Sequence, residues 1–265
     1  MTRPPRPQPT VAGPSPIGAS PSGLLPVVIA LGAWQLLGRA NSRTFPPPRR
    51  WAEALTTLYL HGHLTDAVLS TLTTVALALV TATVVGAVIG TTIGIRAGAD
   101  RAVAPSLDML ASVPGAAVVP LAILALGSTQ LTSVAVVALA VVWPILHNSA
   151  AAARAIPPAR LDAARTLNLS HLQRWCSVVL PSVAPGVLLG VRVAASLSLI
   201  VTLLVDVLGT GDGIGRLLIE RQQHFDAASA WGLLFLVGVL GYLISLTVGQ
   251  FDQVVLRRTR QSASG

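Results

Sequence analysis

The sequence predicts an all-α integral membrane protein with about six transmembrane helices and a polar helix pair between spans four and five. Of its 265 residues, 52% are hydrophobic and 11% are charged, whereas soluble globular domains carry roughly 25% charged residues. The apolar residues also form runs long enough to cross a hydrocarbon core of about 30 Å. These runs occupy residues 24–39, 67–95, 104–127, 131–149, 184–208 and 230–250.

The first two apolar runs differ in what they indicate. Residues 24–39 follow a Pro-rich stretch, 1–23, which we expect to be disordered and cytoplasmic. A cleaved signal peptide is the alternative interpretation of 24–39, but the sequence GRANS is a poor small-residue cleavage site. In the second run, Gly86, Gly90 and Gly94 recur at four-residue spacing. This strip without side chains predicts close packing against a neighbouring helix.

The arginines indicate the orientation. All 18 Lys and Arg positions are Arg, and a cytoplasmic N-terminus places eleven of them on inner segments, six on outer segments and Arg192 within a span. The positive-inside rule therefore favours both termini in the cytoplasm of a multi-pass plasma-membrane protein, although four arginines in the first outer loop oppose it. Residues 24–255 then form the transmembrane domain and 256–265 a basic cytoplasmic tail. The net charge of +8 indicates contact with anionic lipid headgroups in preference to nucleic acid.

The polar segment 158–181 has the local signals of a helix, a tight turn and a second helix. Pro158 suits the first position of a helix. Asn168 tolerates the left-handed conformation that ends one. Ser170 and Gln173 have the spacing of a capping box, which opens a second helix running toward Leu180 and Pro181.

This segment resembles the signature of the membrane-spanning permease subunits of bacterial binding-protein-dependent ABC importers. That signature is Glu-Ala-Ala, three residues, Gly, and a spacer ending in Ile-x-Leu-Pro. Here Asp replaces Glu, Asn replaces Gly and Val replaces Ile. The resemblance implies that the segment is a cytoplasmic ATPase-coupling element, carried by Asp162, Ala163, Ala164, Asn168, Leu180 and Pro181.

The resemblance extends over residues 45–255 and is greatest to the subgroup that imports nitrate, sulfonates and taurine. It implies that this chain forms the translocation pathway for a small anionic solute. It also implies two separate ATPase subunits, an extracytoplasmic solute-binding protein, and a second permease copy or a close paralogue. The sequence agrees, because a P-loop requires Lys and this chain contains none.

Three charged residues within the apolar runs are candidates for the pathway or a subunit interface, because such residues are costly in a bilayer. Asp206 lies near the outer end of span five, where the family usually has Glu; a headgroup-level residue reaching water is an equal alternative. Arg192 and Asp108 lie a few residues inside the cytoplasmic ends of their spans. For these two we predict a structural ion pair in preference to a substrate role.

Other classes of function fit less well. Cys176 is single, and His61 and His63 have no further ligand cluster near them in the sequence, so we expect no catalytic residue, metal ligand or cofactor. The sequence GTGDGIG at 209–215 predicts a flexible external loop. A DNA-binding helix-turn-helix is excluded because membrane spans hold both of its ends. An ion-driven secondary transporter remains the alternative, although no mid-membrane ion-coupling site or internal repeat is evident.

Overall fold

A computed structural model describes residues 25–38, 42, 44–61, 63–209 and 211–262, with backbone alone for 97, 99–101, 104, 116 and 251–262. The Pro-rich stretch 1–23 therefore lies outside the described residues, as does the end of the tail at 263–265. The described helices are α1 (Leu25–Leu37), α2 (Pro48–Leu60), α3 (His63–Ile95), α4 (Ala97–Ala111), α5 (Gly115–Leu126), α6 (Gln130–Arg154), α7 (Pro158–Thr166), α8 (His171–Arg174), a π-helical turn (Trp175–Val179), α9 (Leu180–Val207), α10 (Ile214–Gln223) and α11 (Ala227–Ser262).

Four stretches of helix are long and apolar enough to cross a membrane. They are His63–Ile95, Gln130–Arg154, His171–Val207 and Ala227–Gln250, and two shorter apolar helices, Leu25–Leu37 and Ala117–Leu126, accompany them. The structure differs from the prediction at 104–127, because this run is divided between α4 and α5. The break falls at Pro114, which has no N–H to donate and disfavours helical geometry at Val113.

The centre of the bundle is formed by α3, α6 and α9. The glycine strip of α3 lies against α6, as the sequence predicts: a Cβ at Gly90 would overlap the carbonyl oxygen of Leu146, and one at Gly86 would lie 3.0 Å from Ile145 Cβ. Gly190 of α9 meets α6 equally closely, with Ile145 Cα 2.6 Å from a Cβ built there. The backbones of α3 and α9 therefore each approach that of α6 without intervening side chains.

An aromatic cluster joins α1, α2 and α11. The ring centroid of Trp34 lies 5.0 Å from that of Trp51 and 4.9 Å from that of Trp231, both edge-on. Trp51 and Trp231 are stacked at 5.8 Å. Such pairs contribute about 0.5–1.5 kcal/mol each beyond the area they bury. The cluster thus attaches α1 to α2 and α11.

Candidate coupling segment and intramembrane charges

The turn after α7 has the left-handed residue that the sequence predicts. Asn168 has φ of 49°. Its backbone N–H donates to the carbonyl of Arg165 at 2.9 Å, and the next N–H, that of Leu169, donates to Ala164 at 3.2 Å. These two bonds form a Schellman motif, which satisfies carbonyls at the end of α7.

A capping box begins the following helix, also as predicted. The Ser170 hydroxyl accepts from the N–H of Gln173 at 3.3 Å, and the Gln173 side chain accepts from the N–H of Ser170 at 2.9 Å. The helix end before Asn168 and the helix start after it are therefore both held by hydrogen bonds. The connection between the two helices is therefore short and defined at each end.

The second helix of the pair does not end at Pro181, and the prediction of a separate helix is wrong in this respect. Helix α8 continues through the π-helical turn into α9, so His171–Val207 is one helix of 37 residues. The N–H of Leu180 donates to Trp175, five residues earlier. Pro181 follows directly in the first turn of α9, where its missing N–H is tolerated.

Two leucines beside the turn are the most exposed large apolar side chains of the segment, and Leu180 follows them at 59%. Leu167 is 72% exposed and Leu172 is 75% exposed. Leu167 was not identified from the sequence. Its exposure follows from its position at the C-cap of α7, which is known only from the structure. Of the predicted residues around it, Ala163 is also exposed, whereas Ala164 is buried at 2%.

The opposite side of the segment is attached to the bundle. Ile156, Val179 and Val183 are buried together, with Leu161 and Trp175 packed against them. Asp162 is exposed and forms an ion pair with Arg165 at 3.0 Å. A pair this exposed contributes at most about 1 kcal/mol, so the Asp162 carboxylate is available to another partner at low cost.

Asp206 lies behind the loop that joins α9 to α10. Its side chain is 2% exposed. Oδ2 accepts from Thr71 Oγ1 at 3.5 Å and from the N–H of Gly215 at 3.4 Å. Thr71 Oγ1 in turn accepts from the N–H of Ile214 at 2.9 Å, so the carboxylate and the hydroxyl together hold the start of α10.

The glycines between α9 and the start of α10 pack on this carboxylate. A Cβ at Gly211 or Gly213 would overlap the Asp206 carboxylate, and one at Gly215 would lie 2.7 Å from Asp206 Cβ. Gly213 and Gly215 are buried. The absence of side chains at these glycines therefore permits close packing around a buried carboxylate, which the prediction of a flexible external loop did not include.

The predicted ion pair between Arg192 and Asp108 is not formed in the described part of the chain. Asp108 instead lies 4.0 Å from His147 Nε2 of α6. Arg192 lies two residues after Gly190, which packs on α6. Two residues rotate the helix by about 200°, so Arg192 faces away from α6. Its side chain is exposed, and it makes no hydrogen bond or ion pair to any described residue.

Across the residues that the structure describes, no group of three His, Cys, Asp or Glu side chains could hold a metal ion. Cys176 is a free, exposed thiol. His61 Nδ1 lies 2.7 Å from the carbonyl of Thr57 in its own helix end. The features that stand out are thus the capped turn, the buried Asp206 and the exposed Arg192.

Comparison with known proteins finds a matching family and similar transport permeases. The family model described as the inner membrane component of binding-protein-dependent transport systems matches residues 82–261. The chain is 30% identical to the putative aliphatic sulfonates transport permease SsuC of Escherichia coli K12, over 88% of this chain and 89% of that one. It is 26% identical to SsuC of Bacillus subtilis 168, over 88% and 86%.

A nitrate import permease and a solved transporter are also similar. NrtB of Leptolyngbya laminosa is 28% identical over 56% of this chain and 53% of its own length. The fold resembles an inward-facing structure of the MetNI methionine ABC transporter, with a TM-score of 0.64, 18% identity, and coverage of 73% of this chain and 96% of that chain. The chain belongs to the family of inner-membrane components of binding-protein-dependent transport systems, and it is a permease subunit of an ABC importer.

Proposed function

We propose that this subunit forms half of the pathway of an ATP-driven importer of small anions such as sulfonates, nitrate or bicarbonate. The relatives named above are permeases for aliphatic sulfonates and nitrate, and others are bicarbonate permeases. All three classes of solute are small and carry one negative charge at neutral pH. An importer of this kind needs a separate ATPase, a solute-binding protein and a second permease subunit.

The ATPase-coupling role of residues 158–181 is supported chiefly by the capped turn at Asn168. The turn is hydrogen-bonded on both sides and presents Leu167 and Leu172 to the surroundings, as an element seated in a groove of a partner would. Helix His171–Val207 begins three residues after Asn168 and extends for roughly 55 Å at 1.5 Å per residue. A displacement of the turn is therefore passed to a spanning helix without an intervening loop.

Arg192 is our candidate for contact with the solute. It lies near the middle of Leu180–Val207, roughly 18 Å along the helix axis from Leu180. An arginine facing lipid at this depth costs at least about 2.5–3.5 kcal/mol, so such residues face a bundle interior or a water-filled cavity. A guanidinium can donate two parallel hydrogen bonds to a planar or tetrahedral oxyanion. Ser196, one turn further along the same exposed face, supplies an additional polar group.

Asp206 has a different part in this proposal. Because its carboxylate is buried and accepts from the start of α10, it positions the outer loop and does not touch the solute in this conformation. Asp108, beside His147, lines a cavity with Arg154 between α4 and α6 and is assigned no contact with solute.

The assembly consists of two permease copies, or one copy and a paralogue, with two ATPase subunits on the cytoplasmic side. Both termini and residues 158–181 face the cytoplasm, and the solute-binding protein docks outside. ATP hydrolysis belongs to the partner, because a sequence without Lys cannot supply the phosphate-binding lysine of a P-loop.

Reconstitution tests this proposal. The permease is placed in vesicles with its partner ATPase and solute-binding protein, and uptake of ethanesulfonate, nitrate and bicarbonate is measured with and without internal ATP. We expect accumulation of at least one anion that requires ATP and both partners. Accumulation without the ATPase, abolished by dissipating an ion gradient, would establish a secondary transporter instead.

A further inference from the structure

Three arginines from three helical segments line one small cavity beside the coupling segment. Arg96 follows the end of α3, Arg165 lies in the last turn of α7, and Arg174 ends α8. The cavity has a volume of about 120 Å³, and Thr92 and Trp175 also line it. We call it the arginine cavity.

The positive charge of the arginine cavity is only partly neutralised. Asp162 pairs with Arg165 at 3.0 Å. In the described part of the chain, the guanidinium groups of Arg96 and Arg174 make no hydrogen bond or ion pair. Like charges at such positions repel one another, and an anion between them removes the repulsion. The three arginines and Asp162 together carry a net charge of +2, which favours the binding of an anion in the cavity.

The depth of the cavity restricts the source of that anion. Helix α3 is long enough to cross the membrane and ends at Ile95, directly before Arg96. Trp175 on the facing side is of the residue type enriched at membrane–water interfaces. A basic pocket between spanning helices at this level suits the phosphate of an acidic lipid headgroup. Its volume of about 120 Å³ is sufficient for one phosphate group.

We propose that the arginine cavity binds a phosphate group, supplied by the headgroup of an anionic phospholipid or by free phosphate. The bound phosphate links Arg96 at the end of α3 to Arg165 and Arg174 on either side of the Asn168 turn. It thereby fixes the coupling segment against the transmembrane bundle. Binding itself does not depend on the proposed function, whereas the effect on coupling rests on it.

The test uses the purified complex of permease and ATPase in neutral detergent. Phosphatidylcholine alone, phosphatidylcholine with phosphatidylglycerol, or phosphatidylcholine with millimolar inorganic phosphate is added. Retained phosphatidylglycerol is counted by mass spectrometry, and the unfolding temperature is measured. Arg96→Gln and Arg174→Gln are compared with Arg160→Gln, which removes the same charge from an exposed position of α7 outside the cavity.

We expect wild type and Arg160→Gln to retain about tenfold more phosphatidylglycerol than Arg96→Gln or Arg174→Gln. The reason is that each of the two cavity variants loses a charge-assisted hydrogen bond to the phosphate. Stabilisation of wild type by phosphate alone, lost in the same two variants, would identify free phosphate as the source. The proposal is overturned if neither additive stabilises wild type or if Arg160→Gln loses as much lipid as the cavity variants. Anion uptake by wild type in phosphatidylcholine vesicles is measured in parallel, so a failure of the proposed function is recognised separately.

Discussion

Replacing Asn168 isolates the backbone geometry of the turn from its side-chain chemistry. The residue has φ of 49° and an exposed side chain that makes no hydrogen bond to any described residue, so a substitution changes the conformational preference and little else. Val at this position is strained by roughly 1–2 kcal/mol. A free-energy change of this size shifts a two-state population by a factor of about 5–30. Gly reaches the left-handed region without this cost.

We therefore expect Asn168→Val to reduce solute uptake and the ATPase stimulation by loaded binding protein, by up to about that factor, at equal membrane abundance. Asn168→Gly is the matched control and should behave like wild type. Uptake and ATP hydrolysis are measured in the same vesicles, so the ratio reports coupling. If Asn168→Val retains the wild-type ratio, the turn is a passive surface connection and the mechanical argument fails.

Three other predictions concern the bundle and its charges. Gly90→Ala inserts a Cβ against a carbonyl of α6 and should destabilise the protein by about 1–3 kcal/mol in detergent melts. Gly98→Ala is the control, because Gly98 has open space around it, and it should not destabilise the protein. Equal melting temperatures for the two variants would contradict the close packing of α3 on α6. Asp206→Asn removes the charged acceptor of the Gly215 N–H in α10, so hydrogen exchange at that amide should accelerate about tenfold or more. Unchanged exchange would mean that the carboxylate does not hold the loop. Arg192→Gln should slow anion uptake about tenfold or more while leaving solute-free ATPase activity intact. Leu197→Gln, which is also exposed but lies roughly 140° around the helix from Arg192, should not. Wild-type uptake by Arg192→Gln would remove it from the pathway.

Much of the bundle could be predicted from the sequence because membrane spans have a strong compositional signal. The four long spans coincide with predicted apolar runs, and the glycines of α3 pack as their spacing indicates. The division of 104–127 was missed because hydropathy ignores the backbone effect of Pro114. The continuity from α8 into α9 was missed for the opposite reason, since Pro181 suggests an end where a π-helical turn accommodates it.

The local geometry of the coupling segment was predictable, whereas tertiary partners were not. Left-handed Asn168 and the capping box of Ser170 depend on neighbours in the sequence. The partners of Asp206 are Thr71, far away in the chain, and the loop glycines, and nothing in the local pattern selects them. The expected pair of Arg192 with Asp108 was wrong because helical rotation turns the guanidinium away from α6.

Cross-linking between the segment beside Asn168 and the ATPase tests the central claim most directly. Cys176 is the single cysteine, so Leu172→Cys in a Cys176→Ser background places one reactive thiol on the exposed apolar surface beside the turn. In the reconstituted complex we predict that a short thiol cross-linker joins this cysteine to the ATPase, and that Tyr59→Cys, exposed at the other end of the bundle, is not joined. A Leu172→Cys thiol that does not cross-link, and that reacts with an impermeant reagent added outside intact cells, would contradict the account.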